Sequence, residues 1–163
     1  MLYTEQQRAR RDRSPWTVVQ AVLAPLQFIV FIASVYFVVR YLMTGDGYFE
    51  ATASVLLKTG VLYTIMITGA VWEKDVFGQY LFAPAFYWED MVSMAVLALH
   101  TAYLASVLGS WLSPTGQMVL ALLAYAAYLI NAGQFVLKLR QARLEQTRLA
   151  KTRPDFSEAS AAL

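Results

Sequence analysis

Four carboxylates crowd into residues 73–90, EKDVFGQYLFAPAFYWED: Glu73, Asp75, Glu89 and Asp90. Carboxylates held close together and partly removed from water gain proton affinity. One member of such a group then serves as a proton donor near neutrality while another stays a base. Aromatic residues interleave with them: Phe77, Tyr80, Phe82, Phe86, Tyr87 and Trp88. Their faces can stack on a flat ring or stabilise developing positive charge. The same pattern also suits an interfacial amphipathic segment. His100 is the sole histidine and there is no cysteine. That excludes a typical zinc site, c-type haem attachment, disulfides and thiolate chemistry. A single histidine still suffices as the axial ligand of a magnesium or iron macrocycle, or simply as a core residue. Gln20 and Gln27 share one helical face, and so do Asn131 and Gln134. Such amides line a polar pocket or hold helices together. No glycine-rich phosphate loop and no HExxH motif is present.

The elements that carry these residues must lie in a bilayer. Apolar residues form 58% of the chain and charged ones 15%, against about 25% charge in a soluble domain. Mean hydropathy is +0.47. The apolar residues gather in four runs, about 17–43, 52–72, 91–112 and 117–137. Each matches the ~20 residues that cross a membrane. The composition excludes a nucleic-acid binder and a disordered chain, and no internal repeat is evident. The expected fold is all-α: a polytopic, four-transmembrane-helix bundle in a single domain, residues 1–153, with an amphipathic aromatic loop between spans 2 and 3. Thr4 and Gln7 have capping-box spacing for a short basic helix. Ser14-Pro15 is a second helix start, Pro25 a candidate kink, and Ser113–Gly116 a turn. A basic helix is expected to run to about Arg153, with a disordered tail at 154–163.

Lysine and arginine set the orientation. The N-terminal tail holds Arg8, Arg10, Arg11 and Arg13; the C-terminal tail holds Lys138, Arg140, Arg143, Arg148, Lys151 and Arg153. Four spans place both tails on one side, so both termini are expected in the cytoplasm. The 73–90 loop then lies on the cytoplasmic side too, although it is acidic, with Lys74 its one cation. His100 falls roughly 15 Å past Asp90, near the midplane. Glu73, Glu89, Asp90, Asn131 and Gln134 mark the cytoplasmic half, which reads as a polar pocket tapering to His100. Lys58 is expected either to snorkel outward or to pair with a carboxylate. Arg40 and Trp16, Trp72, Trp88 and Trp111 read as interface anchors.

Three stretches closely resemble one family, the 3-vinyl bacteriochlorophyllide hydratases (chlorophyllide a 31-hydratases) of bacteriochlorophyll biosynthesis. They are LYTEQQRARRDRSPWTVVQAVLAPLQF at 2–28, TGAVWEKDVFGQYLFAPAFYWEDMVSMAVLALHTAYL at 68–104 and YLINAGQFVLKLRQAR at 128–143. With their spacing, the resemblance spans the chain to about Arg143. It implies a hydro-lyase that adds water to the 3-vinyl group of chlorophyllide a or a related magnesium chlorin, giving a 3-(1-hydroxyethyl) group. It implies no cofactor and no metal of the enzyme's own. It also implies a bacterial inner or intracytoplasmic photosynthetic membrane, with contact to other bacteriochlorophyll-synthesis enzymes.

Protonating a conjugated vinyl group requires an acid, a base that orients water, and a dry pocket that favours a cation. Glu73, Glu89 and Asp90 are the expected catalytic residues. His100, Asn131, Gln134, Phe86, Tyr87 and Trp88 are the expected substrate contacts, with His100 a candidate ligand to substrate magnesium. Glu89 and His100, eleven residues apart, fall on one stripe with Ser93 and Val96 between them. The competing reading is a non-catalytic membrane protein that binds or assembles pigment.

Overall fold

The computed structural model describes residues 2–152, which form five helices and, among the described residues, no strand. Helix α1, Glu5–Arg13, opens with the expected capping box. The Gln7 N–H donates to Thr4 Oγ1 at 3.2 Å, and the Thr4 N–H donates to Gln7 Oε1 at 2.9 Å. Helix α2, Pro15–Thr44, begins with proline at a position where its missing N–H is harmless. Ser14 occupies the N-cap, but its hydroxyl makes no capping bond. Thr17 Oγ1 instead donates to the Arg11 carbonyl at 2.6 Å and ties α1 to α2. Pro25 lies inside the helix without ending it. Gly45 ends α2 with φ at 77°, a left-handed conformation that glycine adopts freely.

Helix α3 runs Tyr48–Phe77, α4 runs Tyr87–Gly109 and α5 runs Pro114–Thr152. Half of the acidic segment is therefore helix rather than loop. Residues 73–77 end α3, residues 87–90 begin α4, and only 78–86 are irregular. Hydropathy marks where a chain leaves hydrocarbon, whereas a helix continues until its backbone bonds find another acceptor. At 30 residues α3 is about 45 Å long, beyond the ~30 Å hydrocarbon core. Its last turn, with Glu73, projects past the apolar span, as does the first turn of α4 with Glu89 and Asp90. The turn expected at 113–116 falls earlier, at 110–113, because Pro114 opens α5. Ser113 Oγ accepts from the Gly116 N–H at 3.2 Å there. The expected tail, 154–163, and Arg153 lie outside the described residues.

All four long helices are long and apolar enough to cross a membrane. Their outer faces expose Val18, Val22, Ile29, Ile67, Leu108 and Ile130, surface that only lipid can cover at this density. This is a multi-pass membrane protein. Helix α2 packs chiefly on α3 and α4 chiefly on α5, while α3 and α4 touch less closely. The core joins Phe31, Val38, Val55, Val96, Met118 and Tyr125 from all four long helices. Interhelical hydroxyl bonds pin the register. Ser34 Oγ lies 2.7 Å from Ser54 Oγ and 2.5 Å from Tyr125 OH. Gln20 acts as glue, its Nε2 donating to Thr68 Oγ1 at 2.7 Å.

Lys58 follows neither expected course. It is 0% exposed, with Nζ 3.8 Å from the centroid of the Tyr128 ring and no hydrogen-bond partner. Its helix position points the side chain into the bundle, so an aromatic face replaces water or a carboxylate.

Candidate functional site

The two ends that project past the apolar spans meet at one point. Gly78, with φ at 88°, stops α3 and turns the chain, and the connection returns at Phe86 to start α4. The loop is held by carboxylates rather than by a strand. Ala83 donates its N–H to Glu73 Oε2 at 3.2 Å, and Phe82 donates to Asp90 Oδ2 at 2.7 Å. Phe82 adopts φ 59°, a strained conformation for a bulky residue, and the bond to Asp90 offsets part of that cost.

Glu73 and Asp90 are both buried, and their carboxyl groups lie within hydrogen-bond reach of each other. Two such groups shielded from water cannot both be ionised cheaply. Desolvation comes first and mutual repulsion second in holding a proton on Glu73. The pair's proton affinity is therefore raised, and the contact between the two favours Glu73 as the member that holds the proton.

Glu89, one residue from Asp90, has a different environment. Lys138 Nζ donates to Glu89 Oε2 at 2.5 Å and to the Ala85 carbonyl, and stands 5.1 Å from the centroid of the Phe86 ring. The two side chains form an ion pair. Asn131 Nδ2 bridges the Glu89 carbonyl and Ser93 Oγ, each at 3.0 Å. One acid pair holding a proton thus stands beside one fixed ion pair.

Of the residues expected from sequence, Glu73, Glu89, Asp90, Phe86 and Asn131 come together here. Gln134 lies on α5 between Asn131 and Lys138, with its Oε1 buried and unpartnered. Phe86 sits in an aromatic cluster with Trp72, Phe77, Phe135 and Tyr3 from the N-terminal segment. Tyr87 and Trp88 turn outward, 45% and 71% exposed. His100 lies deeper on the expected stripe with Glu89, Ser93 and Val96, all buried on α4. It is sealed in the bundle: Nδ1 lies 2.8 Å from the Val96 carbonyl, the ring packs 5.9 Å from Tyr125, and Nε2 has no partner. Sequence reasoning counted Lys138 in the basic C-terminal tail and gave it no place in the site. Its place seven residues after Asn131, on the same helical face, was the available signal. Tyr3, third in the chain, gave none.

Fold and site define a four-span membrane protein with a proton-holding carboxyl pair and a neighbouring ion pair at one end of its bundle. A family profile described as 2-vinyl bacteriochlorophyllide hydratase matches residues 3–141. The "2-vinyl bacteriochlorophyllide hydratase" of Rhodobacter capsulatus is 64% identical over 149 residues, covering 88% of this chain and 84% of the relative. That of Cereibacter sphaeroides is 64% identical over 145 residues, covering 88% and 89%. The chain belongs to the 2-vinyl bacteriochlorophyllide hydratase family, which differs from the resemblance drawn above only in the number given to the vinyl-bearing carbon. No solved structure matches it.

Proposed function

We propose that this protein is a hydro-lyase of bacteriochlorophyll synthesis that adds water across the vinyl group of a chlorophyllide-type magnesium chlorin, and that Glu73 and Asp90 carry the chemistry. The observation that carries the assignment is the Glu73–Asp90 pair. Its shared proton passes to the terminal vinyl carbon, leaving a cation on the carbon next to the ring, delocalised into the macrocycle. The pair, now fully ionised, faces that cation and stabilises it. Water attacks the cationic carbon, and its proton returns to the pair as the hydroxyethyl group forms. Atoms balance, the pair is restored, and no electron leaves the substrate.

Glu89 has a supporting role in this scheme. Its carboxyl is engaged by Lys138, and Lys138 in turn fixes the Ala85 carbonyl at the end of the loop. The aromatic cluster around Phe86 excludes bulk water, which would otherwise hydrate the acids and favour their ionised form, leaving no proton to give.

The acid end faces the cytoplasm in this proposal. Tyr3 packs on Phe77 and Phe86, and Lys138 reaches Ala85, so both basic terminal segments sit at the acid end. The positive-inside rule then places that end inside. Contact with enzymes earlier or later in the pathway remains part of the proposal and has no surface assigned to it.

The test is incubation of membranes containing the protein with chlorophyllide a in water enriched in heavy oxygen. The expected product carries one labelled oxygen and a blue-shifted absorption from loss of vinyl conjugation. Pigment retained by folded protein without turnover would favour a binding or assembly role instead.

A further inference from the structure

The α3–α4 seam is looser than the α2–α3 and α4–α5 seams, and it holds a groove of about 240 Å³ open on its outer side. Its walls are Tyr63, Met66 and Ile67 from α3 and Leu97 and Thr101 from α4. Three are apolar. The two polar residues meet, Tyr63 OH lying 2.8 Å from Thr101 Oγ1.

Helical spacing connects this groove to the carboxyl pair. On α3, Tyr63, Met66, Ala70 and Glu73 follow one stripe at steps of three, four and three residues. On α4, Asp90, Met94, Leu97 and Thr101 follow another at steps of four, three and four. Each stripe begins at one member of the acid pair and ends at one of the two hydroxyls. The axial distance is roughly 15–16 Å on either helix. On these stripes the residues between the acids and the groove are a small one, Ala70, and a flexible one, Met94.

We propose that the groove between α3 and α4 is the seat of the chlorin, entered sideways from the bilayer. The macrocycle lies with its plane along the helices and its vinyl edge toward Glu73 and Asp90. Its far edge reaches Tyr63 and Thr101, whose hydroxyls bond to the polar groups at the ring periphery. This rests on the hydratase reading and adds where the substrate lies. The occupant is a flat apolar ring with polar edge groups, which suits a seam with apolar walls and hydroxyls at one end. A lipid chain needs neither the hydroxyls nor alignment with the acids. The arrangement leaves His100, facing Tyr125 inside the bundle, out of contact with the ring.

The test fills the groove. Leu97→Trp and Met66→Trp are compared with Ile130→Trp, on a lipid-facing position of α5 that is 63% exposed. The groove variants are expected to raise KM for chlorophyllide roughly tenfold or more while kcat changes less, and the Ile130 variant to keep both. A photoreactive phenylalanine analogue at Ile67 or Thr101 should crosslink to pigment, and one at Ile130 should not. Groove variants that fold and keep the parent KM overturn the proposal, as does crosslinking at Ile67 to phospholipid alone under saturating pigment. Failure of the parent protein to hydrate the vinyl group would strike the hydratase reading itself. Pigment crosslinked at Thr101 would still place the ring in the groove.

Discussion

Glu73→Gln separates proton chemistry from loop architecture, because the amide keeps what the loop needs. The Ala83 N–H bonds to Glu73 Oε2 at 3.2 Å, and a glutamine carbonyl in the same rotamer accepts that bond. The connection from 78 to 86 therefore stays in place. What disappears is one of two carboxyls that share a proton. A general acid is worth ~10²–10⁴ in rate. At 1.36 kcal/mol per tenfold, that is about 2.7–5.4 kcal/mol of barrier. We expect kcat to fall within that range with KM little changed. The pH profile supplies an independent readout. In the parent, burial and mutual repulsion hold the shared proton above the ordinary carboxylate range, so activity is lost as pH rises and the proton leaves. With Glu73→Gln the member that holds the proton most firmly is gone, and Asp90 is left as the only acid of the pair, raised by its burial and by Glu89. The alkaline limb of the residual activity should move to lower pH. Stability has the same sign logic. A carboxyl with raised proton affinity in the fold stabilises it below the unfolded carboxylate range and loses that contribution as pH climbs through the pair's own range. The variant lacks that loss, so its melting temperature should match or exceed the parent's at alkaline pH. The assay is hydration of chlorophyllide a by membranes or detergent-purified protein. Activity within threefold of the parent, with an unmoved pH profile, would refute the assignment and leave Glu73 as a loop clamp only.

Lys138→Met removes the cation from Glu89. Losing one partner of a buried pair costs about 3–5 kcal/mol, and Lys138, at 22% side-chain exposure, is screened enough to reduce this to about 1–3 kcal/mol. Thermal unfolding should show that loss, and adding Glu89→Gln should recover most of it; an additive double variant would mean the two side chains act independently. Lys58→Met keeps the side-chain length and removes a buried amine that has an aromatic face but no hydrogen-bond partner, so hydratase activity should persist and the melting temperature should stay level or rise. A lower melting temperature counts against an unpaired lysine. Ser113→Cys, in the α4–α5 turn, should react with an impermeant thiol reagent from outside the cell only; labelling from the cytoplasmic face would reverse the orientation and place the acid pair on the other side.

The spans, their number and the stripe from Glu89 to His100 were legible because lipid imposes a one-dimensional rule: a helix that crosses must be apolar for its full width. The helix ends were less legible. Hydropathy stops at Trp72 and resumes at Met91, yet the backbone stays helical through Phe77 and from Tyr87. That difference carries the site. As loop residues, Glu73 and Asp90 would be solvated charges; as side chains on converging helix ends, they turn inward and meet. The acidity of this connection is accounted for in the same way. Glu73 and Asp90 hold the loop backbone, Glu89 is neutralised by Lys138, and only Asp75 remains a solvent-facing acid. Positive-inside counting scores all such residues alike because it sees charge without partners. Lys138 was hidden for a related reason: among the described basic side chains of α5 it alone sits on the Asn131 face, one turn past Gln134, and a run of cations reads as one basic tail until the packing of α4 on α5 is known. The aromatic residues divide by the same physics. Phe86 is buried at the α3–α4–α5 junction and Trp88 is exposed, although both stand within one short aromatic run. Their neighbours in sequence are shared, and only the direction in which α4 leaves the loop separates the wall of a dry site from an anchor at the membrane surface.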